Sequence, residues 1–201
     1  FKPIVKPGTR VGSLRQYITD EIGYNLSVML PATHDTASAV LSVPYDEDGI
    51  YISSGTWSLM GIERKEADCG LLSQNKNVTN EGGFGDTFRY LKNIMGLWMI
   101  QSVKKEIGGD LSFGEICEMA SGCCITSIVD CNDDRFLAPA NMTKEVRDAC
   151  RESGQQVPEG LAEVASVIYN SLAKCYAKTI KQIEGITGKT YDKIHIVGGG
   201  S

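Results

Sequence analysis

The sequence predicts an α/β fold, in which β-strands and α-helices alternate along the chain. Short apolar runs bounded by turn residues are typical of strands. Longer segments, whose apolar residues recur every three to four positions, are typical of helices. No internal repeat or low-complexity tract interrupts this alternation, and 201 residues with a 42% hydrophobic fraction are enough to bury a core.

The start of the chain predicts helix, strand and helix in that order. A short helix is expected over Leu14–Ile22, where turn residues precede and follow it. The apolar run of residues 26–33 predicts a buried strand. A second helix is expected over Thr36–Val43, ending at a proline. The polar turn of residues 43–50 is the best candidate for a domain boundary.

The rest of the chain begins with two short strands, residues 50–56 and 57–63, with Gly55 and Thr56 at the corner between them. A polar loop is expected from about Arg64 to Asn80. The remaining predicted elements are a helix from roughly Gly96 to Gly108, a helix over Phe113–Ala120, an extended segment over 133–139, a helix over Thr143–Glu152 with Thr143 as its cap, a long helix over Pro158–Gly185, and a buried strand over 192–197 that ends in three glycines.

Composition excludes several classes of protein. A net charge of −5 argues against a general nucleic-acid binder, which needs a basic face to neutralise phosphates. The longest apolar runs are too short to cross a bilayer, and the first residues do not form a signal peptide. Seven cysteines without a C-x-x-C pair, and two distant histidines, disfavour a zinc site or a disulfide framework, so we expect reduced thiols in a cytoplasmic protein.

His34 and Asp35 are the first candidates for chemistry, because they stand where an apolar run gives way to a helix. Ligand sites of α/β proteins gather at the carboxyl ends of strands. Asp35 could accept a proton there, while His34 and Thr36 could hydrogen-bond a polar ligand. The alternative, in which Asp35 caps the helix and His34 is a partly buried side chain, is equally compatible with these residues.

Two glycine-rich turns are the second group of candidates. Gly55, in "SSGTWS", allows a ligand to approach the backbone, and the N–H groups of such a turn suit a phosphate. An ordinary β-hairpin explains that segment more simply. The "VGGGS" run, which contains Gly199, is weak evidence by itself and lacks the Walker lysine. Asn93 and Gln101 flank an apolar segment and could bind a sugar or a nucleotide, although amides more often hydrogen-bond backbone groups.

Five segments, in order, resemble the FGGY carbohydrate kinases: "HDTASAV", "YISSGTWSLMG", "TNEGG", "LKNIMGLWMIQ" and "IHIVGGGS". The resemblance covers nearly the whole chain and is weakest over residues 64–77 and 107–129. Within the family it favours the rhamnulokinases over the xylulose, glycerol and fuculose kinases. It implies the two-domain actin-like (ribonuclease H-like) fold.

The resemblance also implies an activity and roles for particular residues. The activity is transfer of the γ-phosphoryl group of ATP, with Mg²⁺, to the terminal hydroxyl of L-rhamnulose during L-rhamnose degradation, giving L-rhamnulose 1-phosphate. The implied roles are Asp35 as general base; His34, Asp35, Thr36 and Asn93 as sugar-binding residues; and Gly55, Thr56, Gln101 and Gly199 as nucleotide-binding residues.

The resemblance implies that the sequence is part of a longer protein. Residues 1–44 would be the tail of the first, sugar-binding domain, and residues 50–201 most of the second, nucleotide-binding domain. The phosphate-binding turn that helps to hold Mg²⁺ in the family has no match here, so we expect the 201-residue chain alone to be inactive. Two other interpretations stay open, namely another sugar kinase of the family, such as an L-fuculokinase, and a non-catalytic actin-like nucleotide-binding module.

Overall fold

The computed structural model describes residues 3–32, 35–44 and 49–200. Two sheets and seven α-helices account for the regular structure of these residues. In chain order the elements are β1 (Arg10–Ser13), α1 (Gln16–Ile22), β2 (Ser27–Met29), α2 (Asp35–Leu41), β3 (Gly49–Ser54), β4 (Trp57–Arg64), α3 (Leu71–Asn75), β5 (Thr79–Gly82), β6 (Phe88–Met95), α4 (Trp98–Val103) with a π-helical turn (Lys104–Gly108), α5 (Phe113–Ser121), a 3₁₀ turn (Asp134–Phe136), α6 (Met142–Glu152), α7 (Leu161–Thr187) and β7 (Lys193–Val197).

A five-stranded mixed sheet is the centre of the fold, with strand order β5-β6-β4-β3-β7. The β3–β4 hairpin predicted from the sequence is present, with Ser54 opposite Ser58 and the corner at residues 55 and 56. Strand β7 returns parallel to β3, which brings the carboxyl ends of both strands to the same edge. This edge is where a ligand site is expected in an α/β protein.

Helices α4, α5, α6 and α7 pack together beside one face of this sheet and share its main core. The long helix α7 buries one stripe of side chains at helical spacing, which includes Val164, Ile168, Leu172 and Ile183. Helix α2 lies on the opposite face, where Val40 packs against Tyr51 and Leu91. The described residues therefore form a helix–sheet–helix arrangement with α2 alone on the second side.

The N-terminal segment forms a small sheet of its own, in which β1 and β2 are antiparallel. Helix α1 falls where the sequence predicts it and ends at Gly23, whose φ of 81° is the left-handed conformation of a helix C-cap. The buried strand expected over residues 26–33 is wrong. Strand β2 is short and exposed, because it pairs only with β1 and no other described element covers it.

Several elements differ from their sequence-based expectations. The loop expected over residues 64–80 contains helix α3 and the start of β5, and strand β6 was not predicted at all. The segment over 133–139 contains a 3₁₀ turn, whose start is capped by the Asp133 carboxylate. Helix α6 is capped by Asn141 and not by Thr143, since the Asn141 Oδ1 accepts the Lys144 N–H at 2.7 Å. The strand expected over 192–197 is present as β7, but the expectation that it is buried is wrong: its residues are exposed or half-buried, because β7 lies at an edge of the described sheet.

Among the helices that the structure describes, none combines the length and the apolar character needed to cross a lipid bilayer.

Candidate active site

A cleft of about 690 Å³ opens at the carboxyl ends of β3 and β7, between the sheet and α2. Its lining comes from five separated parts of the sequence: the start of α2, the β3–β4 hairpin, strand β5, strand β6 and the glycine run after β7. Six of the eight predicted site residues line this cleft, namely Asp35, Thr36, Gly55, Thr56, Asn93 and Gly199.

The β3–β4 turn is fixed to the start of α4. The Leu97 N–H donates to the Gly55 carbonyl oxygen at 3.0 Å, and the Trp98 N–H donates to the Thr56 carbonyl oxygen at 3.0 Å. Gly96 permits this close approach, because a Cβ there would lie 2.6 Å from the Ser58 nitrogen and 2.8 Å from the Gly55 oxygen. The turn is therefore more than a hairpin corner, since its backbone is held in one position relative to a helix.

The glycine run after β7 lies against the end of β3. Gly198 has a φ of 102°, and a Cβ on it would lie 2.5 Å from the Ser54 carbonyl oxygen. The Gly200 N–H donates to that same oxygen at 3.2 Å. The two glycine-rich turns singled out in the sequence thus meet at one edge of the cleft, where the backbone is accessible to a phosphate or a nucleotide.

Gln101 reaches this edge through Thr56. It lies on the second turn of α4, and the Thr56 hydroxyl donates to its Oε1 at 3.4 Å. The side chain of Gln101 thus contacts the β3–β4 turn, although it is not part of the cleft lining. Its predicted contact with a nucleotide stays a prediction.

Asp35 is the first residue of α2, and its side chain is exposed to the cleft. Its Oδ1 accepts the N–H of Thr36 at 2.7 Å, so the carboxylate does contact the helix start. The helix-cap alternative and the catalytic alternative are therefore compatible in this geometry, because an open cleft stands before the same carboxylate. The hydroxyl of the buried Thr36 lies 3.4 Å from the Asp35 Oδ1, and this contact helps to orient the Asp35 carboxylate.

Asn93 faces the same cleft from the middle of the sheet. It is exposed on β6 and lies opposite Leu59 of β4 in the antiparallel register. The sequence pattern did not single out three further lining residues, Ser53, Trp57 and Glu81. The sequence signal for Ser53 and Trp57 is strand alternation. Ser53 lies in one row with Leu59 and Asn93 across three strands, and Trp57 is two residues before Leu59 on the same strand.

His34 lies outside the described residues, so its predicted contact with the sugar stays a prediction. The other histidine, His195, is on β7 and lines a different cleft at the opposite end of that strand. Among the residues with described positions, no group of three His, Cys, Asp or Glu side chains could hold a metal ion.

Burial raises the pKa of several tyrosine and cysteine side chains that pack against the sheet. It raises the pKa of Tyr51, which lies under α2, and that of Tyr176, whose hydroxyl is 2.7 Å from the Ser58 hydroxyl. It also raises the pKa of the Cys131 thiol to about 12. These groups are neutral at ordinary pH, and among the described lining residues of the cleft Glu81 is the charged side chain that the sheet contributes.

Comparison with known proteins identifies the family. Residues 50–201 match the C-terminal domain of the FGGY family of carbohydrate kinases. Proteins named rhamnulokinase from Oceanobacillus iheyensis and Halalkalibacterium halodurans are 47% and 46% identical to this chain over 201 and 200 residues. Each alignment covers all of this chain and 43% of the relative, so the chain spans less than half the length of the curated relatives it matches.

A solved structure gives the same fold. The xylulose kinase from Rhodospirillum rubrum superposes on 96% of this chain and 39% of its own, with a TM-score of 0.57 and 8% sequence identity. At that identity the likeness concerns the fold alone, and it confirms the predicted α/β sugar-kinase fold, present here as one part of a longer protein. With its matched domain and its glycine-lined cleft, the chain belongs to the FGGY family of carbohydrate kinases.

Proposed function

We propose that the protein containing this chain is an ATP-dependent rhamnulokinase, which converts L-rhamnulose to L-rhamnulose 1-phosphate. The relatives that carry this name support the substrate. One structural observation carries the mechanism: the Asp35 carboxylate enters the cleft from α2, while two glycine-rich turns line the cleft from the sheet. A sugar hydroxyl beside Asp35 would face a phosphate held by those turns.

Asp35 acts as the general base in this proposal. Carboxylic acids in general have a pKa of about 4, so a carboxylate is too weak a base to deprotonate a sugar hydroxyl outright. Phosphoryl transfer has a loose transition state, in which the hydroxyl becomes acidic only as its bond to phosphorus forms. Asp35 therefore orients the hydroxyl first and accepts its proton late. Thr36, His34 and Asn93 would hold the sugar in this orientation.

The nucleotide would lie on the other side of the cleft. A phosphate can approach the backbone of the two turns, because Gly55 and Gly199 line the cleft and carry no side chain. Thr56 lies beside Gly55 in the same turn. Gln101 would contact the nucleotide beside Thr56. Mg²⁺ would neutralise the phosphate charge, and it would be held mainly by the nucleotide and by residues outside this chain.

We further propose that residues 1–44 are the tail of the sugar-binding domain and that residues 50–201 are most of the nucleotide-binding domain. The catalytic carboxylate and the phosphate turn would then belong to different domains, which meet at the cleft. The 201-residue chain alone is expected to have no kinase activity. We also propose a cytoplasmic location, since seven cysteines suit a reducing compartment.

The test is Asp35→Asn in the full-length protein, assayed by coupled ADP release with L-rhamnulose. We expect kcat to fall roughly 10²- to 10⁴-fold, with the KM for ATP changed by less than about threefold. Asp86→Asn is the matched control, because Asp86 is exposed, pairs with Lys6 and does not line the cleft. It should leave both constants unchanged.

Three results would contradict parts of the proposal. Full activity of Asp35→Asn would remove the assigned base. A higher kcat/KM for another ketose in a substrate panel would favour another sugar kinase, such as an L-fuculokinase. Binding of ATP without turnover on any ketose would indicate a nucleotide-binding module instead of an enzyme.

A further inference from the structure

A buried arginine lies on the cleft side of the sheet, next to the candidate active site. Arg89 of β6 is only 4% exposed, and its Nη2 donates to the Glu81 Oε2 of β5 at 2.9 Å. The strand register explains this contact, since Glu81 and Arg89 are directly opposite each other. Glu63 of β4 is opposite Arg89 on its other side, so one arginine lies between two carboxylate-bearing positions.

This arrangement is too costly to be explained by stability alone. The Nε and Nη1 atoms of Arg89 are buried and have no hydrogen-bond partner within the described part of the chain. Burying an arginine with two unpaired nitrogens costs desolvation free energy, and the ion pair with Glu81 does not fully offset this cost. What the pair does achieve is a fixed position for the Glu81 carboxylate, because a short charge-assisted hydrogen bond restricts the side chain.

The fixed carboxylate belongs to the cleft. Glu81 lines it together with Asp35 and Asn93, and its side chain is 32% exposed, against 5% for the side chain of Arg89. An ionised carboxylate offers about four acceptor positions, and the hydrogen bond from Arg89 uses one of them. The remaining positions suit the hydroxyl groups of a sugar, which donate hydrogen bonds to carboxylates.

We propose that Glu81 is a specificity-determining residue that accepts a hydrogen bond from a secondary hydroxyl of the ketose, and that Arg89 is the residue that positions it. This inference rests on the proposed function and adds a sugar contact to it. Asp35 binds the hydroxyl that reacts, whereas Glu81 binds a hydroxyl that stays unchanged. Glu81 therefore contributes to recognition of the sugar and not to the chemical step.

The first experiment compares Glu81→Gln with Glu63→Gln in the full-length enzyme. Gln has the shape of Glu and still accepts from Arg89, but it has lost the charge that strengthens a hydroxyl contact. We expect the KM for L-rhamnulose to rise roughly 10- to 100-fold, with kcat and the KM for ATP within about threefold of the wild type. Glu63→Gln is the matched control, because Glu63 also neighbours Arg89 but lines a different cleft. It should change none of the three constants.

The second experiment identifies the hydroxyl with ketose analogues that lack a single secondary hydroxyl. One analogue should be a poorer substrate than L-rhamnulose for the wild type by 10- to 100-fold, and equal to it for Glu81→Gln. A purely structural role for Glu81 would not produce this coupling. Arg89→Lys, which keeps the charge without the planar fork, should give a smaller rise in the same KM at unchanged kcat.

Glu81→Asp provides a second variant in case Glu81→Gln folds poorly. It preserves the negative charge next to Arg89 but withdraws the carboxylate by one methylene, so it should also raise the KM for the sugar. Normal sugar KM values in both Glu81 variants would overturn the inference and leave the kinase intact. So would equal losses for every deoxy analogue.

A wild-type protein that phosphorylates no ketose would instead contradict the proposed function. Glu81 would then be tested by sugar binding alone, measured through the fluorescence of Trp57, which is 43% exposed and lines the same cleft. Weaker L-rhamnulose binding by Glu81→Gln than by the wild type would support the contact. Equal binding, or no binding by the wild type, would overturn it.

Discussion

Replacing Gly96 by alanine would place a methyl group between two backbone segments that both border the cleft. The new Cβ would lie 2.6 Å from the Ser58 nitrogen, 2.7 Å from the Ser58 hydroxyl and 2.8 Å from the Gly55 carbonyl oxygen. These distances fall about 0.6 to 0.8 Å short of ordinary contact at 3.4 Å. Two of the three atoms belong to the main chain, so a side-chain rotation cannot relieve the collision.

The expected loss of stability follows from these contacts. Overpacking by one methyl group costs about 1–3 kcal/mol when the neighbours must move. A shift of the Gly55 carbonyl would also weaken its 3.0 Å hydrogen bond from the Leu97 N–H, which adds about 1 kcal/mol. We therefore expect Gly96→Ala to lower the free energy of unfolding by roughly 2–4 kcal/mol, measured by urea denaturation.

Gly185→Ala is the matched control. Gly185 lies inside α7, and a Cβ there would meet no atom within 4 Å. The same substitution should stabilise the protein at this position, by about 0.5–1 kcal/mol, because alanine is the better helix former. Only Gly96→Ala should also weaken ATP binding, since it displaces the turn that is proposed to hold the phosphates. Equal stability changes in the two variants would refute the argument from close contact.

Two further predictions concern stability away from the cleft. The Glu106 carboxylate accepts hydrogen bonds from the N–H groups of Met142 and Thr143 at 2.6 and 2.8 Å. Glu106→Gln should therefore lower the free energy of unfolding by about 1–3 kcal/mol. The control, Glu118→Gln on the exposed side of α5, should change it by less than about 0.5 kcal/mol. Burial raises the pKa of Tyr51 in the folded protein above its value of about 10 in the unfolded chain. The stabilisation that comes from this shift is therefore complete below pH ~10 and decreases above it by up to ~1.4 kcal/mol per pH unit. Between pH 10 and 11 the free energy of unfolding, measured by urea denaturation, should fall less steeply for Tyr51→Phe than for the wild type.

The parts of the fold that the sequence predicted are those with a local signal. The β3–β4 hairpin follows from two short apolar runs around Gly55 and Thr56, and α7 follows from helical spacing over seven turns. Strand β6 was missed because Arg89, Lys92 and Asn93 interrupt an apolar alternation, and because only Gly96 and Leu97 separate it from α4. Pairing with β4 across eight positions decides its conformation, and such long-range pairing leaves no local signal.

In the candidate site too, residues with a local sequence signal could be predicted, and residues that depend on long-range pairing could not. The glycine turns could be predicted because each directly follows a strand, and Asp35 could be predicted because it starts a helix. Glu81 could not, since the role proposed for it depends on its ion pair with Arg89, and that contact follows from the register of two strands. The exposure of β2 was also beyond the sequence, because an apolar run indicates a tendency to be buried and does not identify the covering element.

Strand β7 has a practical consequence for anyone who prepares this chain. It closes one side of the main sheet in the described structure, and Ile194 and Ile196 are 49% and 53% exposed there. Half-exposed isoleucines on one strand form an apolar surface that another molecule can cover. Ile196→Lys should therefore lower the tendency of the 201-residue chain to self-associate at high concentration, as measured by light scattering, and an unchanged tendency would exclude this apolar surface as the cause.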